Sequence, residues 1–146
     1  MKINHSNDIK YIGVNDHDID LFEGQFDVPL GMAYNSYLVL DEKTVVFDTV
    51  DARFAQEWLG NIKRELSSRG VDYLVVQHME PDHSANIALF AETYPDAKIV
   101  SSEKAFRMMK NFFGDDFASR RIVVKEGDKL STGSHEFVFV EAPMVH

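Results

Sequence analysis

Tyr73-Leu74-Val75-Val76-Gln77-His78-Met79-Glu80-Pro81-Asp82-His83 is the stretch on which the reading of this chain turns. Tyr73 to Gln77 is a continuous, largely apolar run of the kind found in strands buried on both faces. His78 to His83 follows at once and reads as a loop. It places four metal-competent side chains, His78, Glu80, Asp82 and His83, within six positions. A tight loop at a strand end turns alternate side chains toward one point, and Pro81 stiffens it. Imidazole nitrogen with carboxylate oxygen suits iron, manganese or zinc. His78 and Glu80 are two apart, as are Glu80 and Asp82, and such interleaved pairs serve two metals more readily than one. A lone His or Asp here would read as a solvated loop residue; the four together favour metal.

Working outward, the chain alternates short β-branched runs with helical ones. On the N-terminal side, Tyr11 to Val14 reads as a first strand and Asp16 to Gly31 as an acidic loop with turns. Tyr34 to Leu40 and Thr44 to Asp48 read as strands joined by a tight hairpin at Asp41-Glu42-Lys43. A helix is expected over about Ala52 to Ser68, where Phe54, Trp58, Ile62 and Leu66 recur at four-residue spacing. Gly70 is expected to cap it in the left-handed conformation. On the C-terminal side come a helix over Ser84 to Tyr94, a strand over Lys98 to Ser101 and a helix over Glu103 to Phe113 stopped by Gly114. A strand over Arg121 to Lys125, a turn at Glu126-Gly127-Asp128 and a strand over Glu136 to Glu141 complete the pattern. The order predicts an α/β (α+β) chain with a mixed sheet.

Bulk properties narrow the function. The 146 residues are the length of one ordinary domain. With 45% hydrophobic and 27% charged residues, the composition is that of a globular protein. Cysteine is absent, which excludes disulfides, zinc-thiolate sites, iron–sulfur clusters and a cysteine nucleophile, so a metal must be held by nitrogen and oxygen. A net charge of −9 makes nucleic acid a poor partner. No apolar run approaches a membrane span, and Met1 to Lys10 carries no signal-peptide core, so a cytoplasmic location is expected.

His78-Met79-Glu80-Pro81-Asp82-His83 resembles the His-x-Glu-x-Asp-His motif of the flavodiiron proteins (A-type flavoproteins). Hydrolases of the same fold carry His-x-His-x-Asp-His, so Glu80 is the informative difference. A carboxylate is a hard, anionic ligand that favours iron, whereas imidazole pairs suit hydrolytic zinc. Gly13-Val14-Asn15-Asp16, Asp20 to Gly24, Tyr34 to Tyr37, Val46 to Val50 and Glu141 to His146 also look like segments of that family, so the likeness covers essentially the whole chain.

The resemblance implies the N-terminal portion of a metallo-β-lactamase-like αββα sandwich over residues 1–146, with the flavodoxin-like FMN domain absent from this chain. It implies a di-iron centre in which His78, Glu80 and His146 hold one iron and Asp82 and His83 the other. It further implies reduction of oxygen to water or of nitric oxide to nitrous oxide, with electrons from FMN and a rubredoxin-like carrier. Because the family pattern continues with the rest of the domain, an unpaired strand edge and an apolar face that the absent part would cover are expected, together with self-association or a complementing chain. The rivals are a zinc-dependent hydrolase of the same fold and a non-catalytic, incomplete domain.

Among the other polar residues, His17 and His135 read as surface histidines. Asp48 reads equally as a support for the metal-ligand loop or as a cap on the turn before the helix. Tyr34 and Asn35 read equally as pocket lining or as a plain strand start.

Overall fold

In the computed structural model, which describes residues 7–142, one six-stranded sheet has two unequal coverings. The N-terminal half supplies β1 (Ile9–Tyr11), β2 (Val14–Asp16), β3 (Leu21–Phe22), β4 (Phe26–Asp27), β5 (Met32–Tyr34), β6 (Tyr37–Leu40) and β7 (Thr44–Phe47). A single turn of 3-10 helix (Ala52–Phe54) leads into α1 (Ala55–Leu66). There follow β8 (Tyr73–Val75), α2 (Pro81–Ser84), α3 (Ile87–Thr93), β9 (Lys98–Ser101), α4 (Glu103–Phe113), β10 (Arg121–Val123), β11 (Lys129–Ser131) and β12 (Glu136–Val138).

Six strands form the main sheet in the order β1-β6-β7-β8-β9-β10. The β1/β6 and β6/β7 pairs are antiparallel, and β7/β8, β8/β9 and β9/β10 are parallel. The register sets Val46 opposite Leu74 and Leu74 opposite Ile99, so alternate side chains of three strands line one face. That face, with Leu38, is buried against Trp58, Ile62 and Leu66 of α1, Ile87 and Phe90 of α3, and Phe106 and Met109 of α4. The intervening residues Val39, Val45, Val75 and Val100 point to the opposite face. There the cover is the β11–β12 hairpin, whose Leu130 and Phe137 pack on it, with Phe137 5.0 Å ring to ring from Phe47.

One carboxylate ties this hairpin down. Asp41, in the β6–β7 turn, accepts from the backbone N–H groups of Ser134 and His135 and from the Thr132 hydroxyl. His135 sits between Asp41 and Asp8, its ring nitrogens 3.0 Å and 2.9 Å from their carboxylates. The surface role expected of His135 is therefore corrected: it is half-buried and part of a polar clasp. The backbone N–H bonds of Ser134 and His135 hold the Asp41 carboxyl well below the usual carboxylate range, although burial pushes the other way.

The α/β (α+β) architecture agrees with the expected portion of a metallo-β-lactamase-like sandwich: one helical layer, the six-stranded sheet and part of an opposing sheet. Several boundaries differ. The strand expected at Tyr11 to Val14 is split at Ile12-Gly13, where a Cβ on Gly13 would lie 2.2 Å from the Tyr34 carbonyl oxygen. That expected at Tyr34 to Leu40 is split at Asn35-Ser36, because β5 pairs with β2 while β6 joins the main sheet. The acidic loop contains the small β3–β4 hairpin. The left-handed position after α1 falls on Ser67 (φ 56°), not Gly70. Gly114 does end α4 in the left-handed conformation (φ 75°), as expected. β10 is an edge strand, and Val123, Val138 and Val140 are exposed. No helix among the described residues is long and apolar enough to cross a membrane.

Candidate metal centre

The parallel strands β7, β8 and β9 run the same way, and the segment Val76–Asn86 leaves the carboxyl end of β8, where open α/β sheets place their sites. Val76 stays attached to β9: its N–H donates to the Val100 carbonyl and its carbonyl accepts from the Ser101 hydroxyl. Beyond it the chain turns at Glu80, whose extended backbone (ψ 147°) precedes Pro81 at the first position of α2. The expected loop is thus a loop only to Glu80. Asp82 and His83 lie on a helical turn in which the Glu80 carbonyl accepts from the N–H groups of His83 and Ser84. Proline begins the turn because its fixed φ suits a helix and its missing N–H is not needed there. The Ser84 hydroxyl closes the segment on the Met79 carbonyl, burying Met79 beneath it.

The four expected donors come together in pairs. His78 Nε2 lies 3.0 Å from Glu80 Oε2, and His83 Nε2 lies 3.4 Å from Asp82 Oδ2. The two imidazoles meet edge to face, 5.6 Å between centroids, and so bring the pairs side by side. His78, Glu80 and His83 are each partly exposed, whereas Asp82 is buried. His146 lies outside the described residues. Among the described residues no three His, Asp or Glu side chains converge closely enough to hold a metal ion, so the arrangement is pairwise. Two surface depressions, one around Glu103, Phe106 and Arg121 and the other around Thr44, Arg69 and Asp72, are lined by residues outside this segment.

Two observations bear on what these donors can bind. Asp82 Oδ1 and His83 Nδ1 are buried with no hydrogen-bond partner. A buried carboxylate oxygen or ring nitrogen left this way is costly unless an ion or water completes it. His83 Nδ1 does face Asp48 Oδ2, but at 3.4 Å this is an ion-pair contact rather than a well-formed hydrogen bond. Asp48 raises the His83 imidazole above its ordinary value, against the effect of burial. Burial likewise pushes the Asp82 carboxyl up, and the neighbouring His83 partly offsets it. The donor set, two imidazoles and two carboxylates with the buried Asp82 Oδ1 left unpartnered, fits a cationic metal chemically.

Asp48 resolves its two readings. It ends β7 in the left-handed region (φ 56°), a conformation Asp tolerates better than most residues. Its carboxylate accepts from the Gln77 N–H at 2.7 Å and the Gln77 side-chain amide at 3.3 Å. It therefore supports the donor segment, while Asp51 caps the following turn by accepting from Arg53 N–H. Tyr34 and Asn35 are not brought to the donors. The Tyr34 hydroxyl donates to the buried carboxylate of Asp16, which Arg53 also meets at 2.7 Å. Asn35 is exposed, and so is His17.

Sequence reasoning missed Thr49 and Asn86, which are buried beside the donors. Thr49 donates to the His83 carbonyl from both its N–H (2.8 Å) and its hydroxyl (2.9 Å). Its hydroxyl oxygen also accepts from the Asn86 N–H. The Asn86 side-chain amide donates to the carbonyls of Val50 (2.7 Å) and Asp51 (3.3 Å). No local signal marks these residues, since their partners lie 34 to 37 positions away.

Fold and segment together describe an α/β sandwich with a His/Asp/Glu donor segment at the carboxyl ends of its parallel strands. A model of the ODP family beta lactamases matches residues 32–146, and the chain belongs to this family. Over its whole length it is 35% identical to an anaerobic nitric oxide reductase flavorubredoxin of Vibrio vulnificus, and 94% of it aligns at 36% identity with a nitric oxide reductase of Moorella thermoacetica. It spans 30% and 35% of those two proteins, about a third of the length of the curated relatives it matches. Among solved structures, the rubredoxin oxygen:oxidoreductase of Desulfovibrio gigas superposes on the whole chain with a TM-score of 0.91 at 34% identity, the chain covering 36% of it. The flavodiiron protein of Giardia intestinalis gives 0.90 at 25% identity, with 35% of that chain covered.

Proposed function

We propose that residues 1–146 form part of the di-iron domain of an oxygen- or nitric oxide-reducing flavodiiron enzyme. The observation that carries this reading is Glu80 itself, a carboxylate set beside His78 at the strand end where a hydrolytic zinc site would favour imidazole. The names of the relatives point the same way. His78, Glu80 and His146 would hold one iron, and Asp82 and His83 would contribute to the second. When bound, the iron pair would supply the redox centre at which oxygen or nitric oxide is reduced.

The chain's own residues hold and orient the donors: Asp48 fixes Gln77 and faces His83, and buried Met79 and Ser84 keep the back of the segment dry. FMN would come from a flavodoxin-like part outside these residues, and electrons from a rubredoxin-like carrier. A homo-oligomer is the expected assembly, and the expected location is the cytoplasm.

The test is the metal content of the anaerobically purified chain, compared with Glu80→Ala. Iron that is lost on the substitution is the expected result. Zinc in its place would favour the hydrolase reading, and no bound metal would favour a non-catalytic, incomplete domain.

A further inference from the structure

Asn86 stands at the position before the first residue of α3, where asparagine ordinarily turns its side chain back to cap the helix N–H groups. Here it makes no such bond. Its amide instead reaches across to the carbonyls of Val50 and Asp51 beyond the end of β7, while its own N–H donates to the Thr49 hydroxyl. Thr49 passes the connection on, its hydroxyl and N–H both engaging the His83 carbonyl. Both residues are buried, at 3% and 0% exposure, and the bonds from the Asn86 N–H to the Thr49 hydroxyl and from the Asn86 amide to the Val50 carbonyl are shielded from competing water.

From this geometry we infer that Thr49 and Asn86 are positioning residues that fix the backbone of His83, and with it the direction of its imidazole, for metal binding. The inference rests on the metal reading of the preceding subsection and adds two residues to it. The logic is steric and local. α2 is four residues long and cannot orient its own side chains by helix rigidity. Clamping the His83 carbonyl by two donors sets the direction of the Cα–Cβ bond. Asp48 then meets Nδ1 from the side, which leaves Nε2 directed toward Asp82. The structural alternative is that Asn86 only starts α3 and Thr49 only fills the core.

Three substitutions in the full chain separate these roles, read by titration with Co²⁺ alone and by its ligand-field spectrum. Asn86→Asp keeps the shape and suits a helix N-terminus, but it replaces the donor facing two carbonyls with an acceptor. Thr49→Val keeps the shape without the hydroxyl, and Thr49→Ser restores it. The expected result is a loss of Co²⁺ affinity of about 10–100-fold in Asn86→Asp and Thr49→Val, with an altered spectrum and with both recovered in Thr49→Ser. Should Asn86→Asp fail to fold, the Thr49 pair alone decides. Co²⁺ affinity and spectrum unchanged in Thr49→Val, with wild-type binding intact, would overturn this inference and leave the metal reading standing. A wild-type chain that takes up no Co²⁺ would overturn the metal reading and this inference with it.

Discussion

Asp16, at 1% exposure, is among the most deeply buried carboxylates described, yet its surroundings favour the ionised form. Burial pushes its carboxyl up, but the N–H groups of Asp18 and Ile19, the Tyr34 hydroxyl and the Arg53 guanidinium together hold it below the ordinary carboxylate value. Tyr34 remains a donor over the physiological range because burial and Asp16 push its hydroxyl up to about 12. A carboxyl lowered in the folded state contributes stability that is present above the unfolded value, near 4, and lost as pH falls through the folded one. In urea titrations the stability gap between wild type and Asp16→Asn should therefore stay constant above about pH 5 and shrink as the pH falls below about 4. A gap that does not change with pH would refute this account. At this scale the sequence was informative where residues are contiguous: the His and carboxylate side chains from 78 to 83 were singled out, and the structure sets them in pairs. The sequence was silent on Thr49, Asn86 and the Asp41–His135 clasp, because a hydrogen bond between residues 34 or 94 positions apart leaves no pattern in either neighbourhood.

Helix termini show how local rules compete within an element. Four-residue spacing correctly located α1, and Trp58, Ile62 and Leu66 are its buried stripe. The glycine rule then pointed to Gly70, yet the backbone turns left-handed three residues earlier, at Ser67, and the Arg69 N–H already bonds back to the Leu66 carbonyl. Gly70 has negative φ and open space where a Cβ would be. Two substitutions should behave in opposite ways to the usual expectation. Ser67→Gly should stabilise the fold by about 1 kcal/mol by relieving a conformation unfavourable to a side chain. Gly70→Ala should be neutral or stabilising by up to about 1 kcal/mol, since it removes only unfolded-state freedom. Urea unfolding of both variants checks this, and a large loss in Gly70→Ala would show that Gly70 is the cap after all. The element α2 was illegible for a related reason. Four residues carry no periodicity, and only Pro81 hinted that the turn after Glu80 is helical.

Across the whole molecule, the two faces of the sheet are held by different physics. The helical face is apolar and continuous, joining β6 to β9 with α1, α3 and α4. The other face holds its hairpin by a thinner apolar contact and by the Asp41 clasp. Asp41→Ala should leave the helices intact but accelerate amide hydrogen exchange from Lys129 to Val138, because sub-global opening follows the weakest layer. Uniform acceleration throughout the chain would show instead that the two layers open together. The mixed sheet and its helical layer were legible because buried strands and amphipathic helices write themselves as runs and spacings. The opposing layer was only half legible. β12 was expected as a longer strand, whereas β11, with Lys129 and Ser131 exposed about one partly buried Leu130, has too little apolar signal to stand out.

The donor segment has one more consequence. All four described donors lie between two fixed points, Val76 on the sheet and Asn86 beside β7, and the bonds at those points use main-chain carbonyls and amides together with side chains that are not donors. Between them the fold holds positions 79 and 83, through buried Met79 and the clamped His83 carbonyl, whereas the side chains of His78 and Glu80 are partly exposed and pair with each other. Variation at positions 78 and 80 is therefore the kind that the scaffold absorbs most easily, since neither side chain is part of the core.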